Sequence, residues 1–237
     1  MTITSVKALV FDVFGTVVDW RSSVIRECQA FGARKGLERD WTAFAVDWRK
    51  AYRPAMDRVI SGELPWMNID TLHRIALLEL LERHDIGGLS EAEIDDLNRA
   101  WHRLDPWPDT VAGLTRLKNR YIIATMSNGN VALMVNMAKR ACLPWDAVLG
   151  AEVAHAYKPE RKAYETTARL LGLANDEVML VAAHNNDLAA ARRFGFRTGF
   201  VTRLTEHGPA QTTNLKAEQD WDVIATDFRD MATKLGC

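Results

Sequence analysis

Short apolar runs alternate along the chain with longer stretches in which apolar residues recur at helical spacing. The β-type runs are VKALVFDV (6–13), YIIATMS (121–127), AVLGAEV (147–153), EVMLVAA (177–183) and TGFVT (198–202). From residue 105 onward they are interleaved with TVAGLTRLKN, VALMVNMAKRA, ERKAYETTARLLGL and DLAAARRFG, each with apolar positions on one helical face. Strands alternating with helices of this length predict βαβ units, and hence an α/β fold built on a doubly wound parallel sheet.

Residues 20–104 break the alternation with four long amphipathic patterns: SSVIRECQAFGARKG, WTAFAVDWRKAYRPAMDRVI, NIDTLHRIALLELLERH and SEAEIDDLNRAWHRL. They predict a helical insertion, dividing the chain into a core of residues 1–19 and 105–237 and an inserted helical unit of residues 20–104. Ser90 with Glu93 predicts a capping box at its last helix, and the Pro-rich LDPWPDT (104–110) marks the return to the sheet. The tail DFRDMATKLGC predicts a final surface helix. Ligands of parallel sheets sit beyond the carboxyl ends of the strands. Four places therefore concentrate interest: Asp12, Ser127-Asn128, the loop around Lys158, and AAHNND at 182–187.

The composition of the 237 residues narrows the partners. A formal net charge of −1 gives no electrostatic case for nucleic acid or an anionic membrane as the main partner, which leaves small molecules. Cys28, Cys142 and Cys237 are odd in number and widely spaced, arguing against a disulfide framework or zinc site and for a reducing compartment. The opening MTITSVKALVFD supports neither a signal peptide nor a membrane span, so the expected location is the cytoplasm. Six of the eight Trp residues, among them Trp20, Trp48, Trp66 and Trp101, fall in the first half and are expected to fill a helical core.

Asp12 ends the first strand where α/β enzymes keep reactive groups, and Gly15-Thr16 after it permits a tight turn; capping the next helix is the competing role. The combination says more than any part. FDVFGT after the first strand, MSNG (126–129) after a later one, YKP (157–159) and an acid after VMLVAA together resemble the four motifs of the haloacid dehalogenase superfamily. The resemblance covers the whole chain, the insertion matching that superfamily's cap domain. It implies that Asp12 is a nucleophile forming a covalent aspartyl intermediate.

Phe14 bears on the leaving group. Superfamily phosphatases usually carry a second Asp two residues after the nucleophile to protonate a basic alkoxide. Phe14 cannot donate a proton, whereas a halide, a very weak base, leaves without one. With Asp187 the one acid after VMLVAA and no obvious acidic cluster, neither a required metal nor another cofactor is expected.

Within the superfamily the chain is similar to the type II (L-2-)haloacid dehalogenases. That resemblance implies roles residue by residue. Thr16 orients the nucleophile, and Arg49, in DWRKAY of the cap, draws off the developing halide charge. Ser127 and Asn128 bind the substrate carboxylate and halide, Lys158 holds the nucleophile ionised, and Tyr164 matches a Tyr six residues further on. Asp187 helps activate water, and it is also placed to cap the helix that follows. The departure is AAHNND. Ala182, Ala183 and His184 stand where these enzymes usually read Ser-Ser-Asn, and His184 is expected either to assist the base or to enlarge the donor set around a halide, with Asn185 a neighbouring substrate contact. AHN is also reminiscent of a fluoroacetate-active subgroup. Trp48, Tyr52, Trp66 and Met67 are candidate cap walls, and RLTEHGPAQTTNL (203–215) reads as a polar loop with a solvated His207.

The expected activity is hydrolytic dehalogenation of short 2-haloalkanoic acids to 2-hydroxy acids by a hydrolase acting on carbon–halide bonds. A phosphatase of the same fold and a non-catalytic binding protein are the alternatives. The resemblance further implies a homodimer.

Overall fold

The computed structural model describes residues 5–237. β1 (Ala8–Phe11) is buried along its whole length, which is why it reads as a continuous apolar run rather than an alternating one. A two-residue strand, β2 (Val18–Asp19), leads into α1 (Trp20–Lys35), α2 (Trp41–Ile60), α3 (Ile69–Arg83) and α4 (Glu91–Asn98), followed by a 3-10 turn at Arg99–His102. β3 (Asp105–Pro106) pairs antiparallel with β2, so the chain leaves for the helical insertion and returns from it through a two-stranded ribbon. There follow α5 (Thr110–Lys118), β4 (Ile122–Ser127), α6 (Val131–Ala141), β5 (Ala147–Gly150), α7 (Ala151–Ala154) and α8 (Arg161–Leu170). The chain ends with β6 (Val178–Ala182), α9 (Asn185–Arg193), β7 (Arg197–Val201), β8 (Val223–Ala225) and α10 (Phe228–Lys234).

Six strands form one parallel sheet in the order β5-β4-β1-β6-β7-β8. β1 is central. The chain winds outward from it to β4 and β5, then crosses back to β6 on its other flank and continues to β7 and β8. Where the winding reverses, the loops after β1, β4 and β6 diverge and open a crevice at the carboxyl ends of the strands.

Each insertion helix opens on a short polar side chain that accepts a backbone N–H: Asp19 from Ser22, Asp40 from Ala43, Asn68 from Thr71, and Ser90 from Glu93. At Ser90 the Glu93 carboxylate also accepts from the cap's own N–H, completing the expected capping box. Three elements differ from the sequence expectation. The run AVLGAEV is a strand only to Gly150, because α7 begins at Ala151. β8 is too short for its alternation to stand out. The tail helix α10 is not a plain surface helix: its spacing of Phe228, Met231 and Ala232 buries one face, with Phe228 edge-on to Phe11 at 5.6 Å. Among the described residues no helix is long and apolar enough to cross a membrane.

Aromatic side chains join the insertion to the sheet. Trp101 is fully buried, stacked on Trp20 at 6.2 Å and on His73 at 4.4 Å, and edge-on to Trp48 at 5.6 Å and Phe14 at 6.0 Å. The insertion is thereby packed against the turn after β1 and is not hung on its two linkers alone. Trp101→Ala is expected to lower unfolding stability in urea by about 3–5 kcal/mol, the usual cost of truncating a buried aromatic; a loss below about 1 kcal/mol would show that this cluster does not couple the two parts.

Candidate active site

Asp12 directly follows β1, and its backbone N–H still donates to the Val181 carbonyl at 3.1 Å, continuing the ladder toward β6. The side chain is thus fixed by the central strand. The turn after it needs Gly15, which has a φ of +85°; a Cβ there would lie 2.0 Å from Glu206 Oε1. The next residue, Thr16, donates its hydroxyl to Asp12 Oδ2 at 2.7 Å and accepts the Ala183 N–H at 2.9 Å, tying the turn to the end of β6.

Two cations hold the carboxylate. Lys158 Nζ donates to Asp12 Oδ1 at 3.0 Å and also to Asp187 Oδ2, while the Tyr164 hydroxyl donates to Asp187 Oδ1 at 2.9 Å. Asn128 aims this lysine by accepting the Lys158 backbone N–H at 2.8 Å, and its side chain also hydrogen-bonds Tyr52 on the cavity wall. On the other side His184 Nδ1 lies 3.1 Å from Asp12 Oδ2, and its Nε2 lies 2.8 Å from Glu206 Oε2. Glu206 is almost fully buried and accepts the Trp20 indole N–H at 3.1 Å.

These contacts decide the charges. Burial pushes the Asp12 carboxyl up, but Lys158 and His184, with the Thr16 hydroxyl, outweigh it and hold the group well below the usual carboxylate range. Burial likewise opposes charge on His184, yet Glu206 and Asp12 on either side raise it from 6.5 to about 10. Glu206 is lowered despite its burial, chiefly by His184. At neutral pH His184 is therefore an imidazolium whose two N–H groups both donate. A protonated ring has no lone pair with which to take a proton. Of the two roles expected for this residue, the base does not fit the resting site, and the two ring N–H groups go to Asp12 and Glu206 rather than to a halide.

A cavity of about 760 Å³ opens over Asp12. Phe14, Trp20, Tyr52 and Met56 wall it, and Asn128, Lys158, His184 and Asp187 line it. Arg49 also lines it, its guanidinium 4.3 Å from the centre of the Tyr52 ring and 5.4 Å from that of Trp20. One of its buried nitrogens, Nη1, has no hydrogen-bond partner. A buried cationic donor left unpaired fits an anion in the cavity.

Other expected contacts lie elsewhere. Trp48 is core, its indole N–H donating to the His73 carbonyl at 3.0 Å. Trp66 packs 4.9 Å from Tyr157, and Met67 lends its carbonyl to the Tyr157 hydroxyl. Ser127 is buried with its hydroxyl oxygen taken by the Gly129 N–H at 3.0 Å, so it shapes the turn. Asn185 clamps the loop after β7, accepting the Trp221 indole N–H and the Glu218 N–H, each at 2.9 Å. Tyr164 sits behind Asp187 rather than on the cavity wall. His207 is exposed, as expected of its loop, and it also borders the cavity, edge-on to Trp20 at 5.8 Å. Glu206, its neighbour, escaped the sequence reading because a polar loop hides which acid folds inward.

The model of the haloacid dehalogenase-like hydrolase family matches residues 6–195. The chain belongs to this family. Among relatives of this haloacid dehalogenase-like hydrolase, (S)-2-haloacid dehalogenase 4A of Burkholderia cepacia is 28% identical, with 85% of each chain covered. A solved defluorinating L-2-haloacid dehalogenase is 46% identical with a TM-score of 0.96, covering 98% of this chain and 96% of its own. A second solved L-2-haloacid dehalogenase is 47% identical with a TM-score of 0.94, covering 97% and 98%.

The His184–Glu206 pair of this hydrolase yields a pH prediction. Because His184 is raised above its ordinary value, its contribution to stability is full below about pH 6.5 and is lost as pH rises through about 10. Glu206→Gln removes the larger electrostatic support. NMR titration of the His184 ring in that variant is expected to give a value shifted down toward 6.5, with the alkaline fall of activity moving the same way. An unmoved titration would show that Glu206 does not hold the proton.

Proposed function

We propose that the protein hydrolyses short 2-haloalkanoic acids to 2-hydroxy acids through an ester on Asp12. The observation that carries this reading is an ionised, buried carboxylate facing an unpaired Arg49 nitrogen, with Phe14 where an alkoxide-releasing enzyme needs an acid. The first step is displacement at a saturated carbon. Asp12 Oδ1, which carries one donor against two on Oδ2, attacks C2 in line with the carbon–halogen bond. The carbon inverts, and the halide departs with the bonding pair toward Arg49 and the Asn128 amide. It needs no proton.

The second step breaks the ester at the Asp12 carbonyl. Oδ2 is now the carbonyl oxygen, and the two donors already on it, the Thr16 hydroxyl and His184 Nδ1–H, form an oxyanion hole as water adds to the carbon. Asp187 takes the proton from that water, and Tyr164 and Lys158 hold its carboxylate in place. Collapse expels the product oxygen, which takes the proton from Asp187 to give the 2-hydroxy acid and returns Asp187 to its carboxylate. The second water proton is released, and Asp12 returns as carboxylate with an oxygen from water.

The helical unit of residues 20–104 acts as the cap that brings Arg49 and Tyr52 over the nucleophile. The protein works as a cytoplasmic homodimer on a small-molecule substrate, with neither nucleic acid nor membrane as partner and with no metal or other cofactor. Support comes from the near-neutral charge, the three scattered cysteines and the likeness to L-2-haloacid dehalogenases. A halide-release screen with EDTA present, covering fluoro-, chloro- and bromoacetate and both 2-chloropropionate enantiomers, tests the reading. Turnover of the (S) enantiomer is expected, with at least about a 10³-fold loss of halide release in Asp12→Asn. Unchanged release in that variant, or activity only on phosphate esters with Mg²⁺, would contradict it.

A further inference from the structure

The cavity far exceeds a two- or three-carbon haloacid. A volume of about 760 Å³ corresponds to on the order of 25 water molecules at the volume each occupies in the liquid. Asp12 and Lys158 are nearly buried in its wall, and His184 is only a little less so. The exposed residues of its lining include Lys50, Arg53, Arg193 and Asn186; Asn214 is half-buried, and Val46 and Met56 are apolar. The carboxylates on the cavity wall are Asp12 and Asp187, both already held by Lys158. Three exposed cations thus border one cavity in a chain of net charge −1.

Their existing partners leave them available. Lys50 pairs with Asp47 at 2.9 Å and Arg53 with Asp57 at 2.7 Å, both exposed pairs within α2 of the kind that water exchanges readily. Arg193, the last residue of α9, has no carboxylate partner among the described residues. A cavity with a buried nucleophile in its wall and exposed cations around it matches an elongated substrate charged at both ends.

We propose that these exposed cations bind a second carboxylate, so that 2-halogenated dicarboxylic acids of four to six carbons are preferred substrates. The proposal rests on the dehalogenase reading above and names the substrate class of the same site. The distal carboxylate accepts hydrogen bonds from Arg193 and Lys50, and the methylene groups lie along Val46 and Met56. Arg53 adds charge at the rim.

The test compares chain-matched pairs: 2-bromosuccinate against 2-bromobutanoate, and 2-bromoadipate against 2-bromohexanoate, all as (S) enantiomers. In the wild-type protein kcat/KM is expected to favour the dicarboxylate of at least one pair by about tenfold, the scale of a charge-assisted hydrogen bond. Arg193→Gln with Lys50→Met should erase that preference, mainly through KM, while kcat on the monocarboxylate changes less than about twofold. Rim cations that merely steer anions would instead, when removed, weaken both members of a pair alike. That outcome, or a wild-type protein indifferent to the second carboxylate, overturns the subsite and leaves the dehalogenase reading intact. If no haloacid of either kind releases halide, it is the dehalogenase reading that falls.

Discussion

A carboxylate almost closed to solvent must be given its charge by its surroundings, and every other part of the site follows from how Asp12 is given its own. Lys158 grips one oxygen, while Thr16 and His184 grip the other. The cations offset the desolvation that would otherwise protonate the group. Each then needs an anion of its own. Asp187 serves Lys158, and Glu206, buried under the loop after β7, serves His184. The result is a chain of alternating charges running Asp187, Lys158, Asp12, His184, Glu206 across the ends of the central strands. In the proposed reaction, alkylation of Asp12 removes its middle charge and leaves donors already in place around a new carbonyl.

The sheet supplies rigidity and the helical insertion supplies the lid. β1 lies between β4 and β6, so the loops that carry Asn128 and His184 flank the nucleophile with no element of their own intervening. The insertion enters through the β2–β3 ribbon and is anchored by Trp101 against Phe14 and Trp20. Phe14 therefore serves two ends. It packs the lid onto the core, and it puts a ring without a proton where a phosphatase of this fold keeps an acid.

Sequence made the fold largely legible because its central strands are buried on both faces and the four insertion helices begin on side-chain caps. Asp12 and Asp187 were legible for a different reason, since they follow closely on the ends of β1 and β6, where position along the chain dictates position in space, whereas Thr16, Lys158 and Tyr164 were legible only through the resemblance to the dehalogenase motifs. The misses share a cause. Trp48 and Trp66 lie on helices and loops of the insertion, where a large apolar side chain gives no sign of whether it faces the core or the cavity. Glu206 belongs to the stretch between β7 and β8, whose polar composition resembles a solvated loop. Only the tertiary path, which drives Glu206 against the bare Cα of Gly15, shows that it turns inward.

The central claim is that water attacks Asp12 and not the substrate. A single turnover with enzyme in excess over (S)-2-chloropropionate in ¹⁸O-water, followed by mass spectrometry of the Asp12 peptide and the product, tests this directly. The account predicts label in the Asp12 carboxylate and an unlabelled 2-hydroxy acid. Label in the hydroxy acid with none on Asp12 would contradict it.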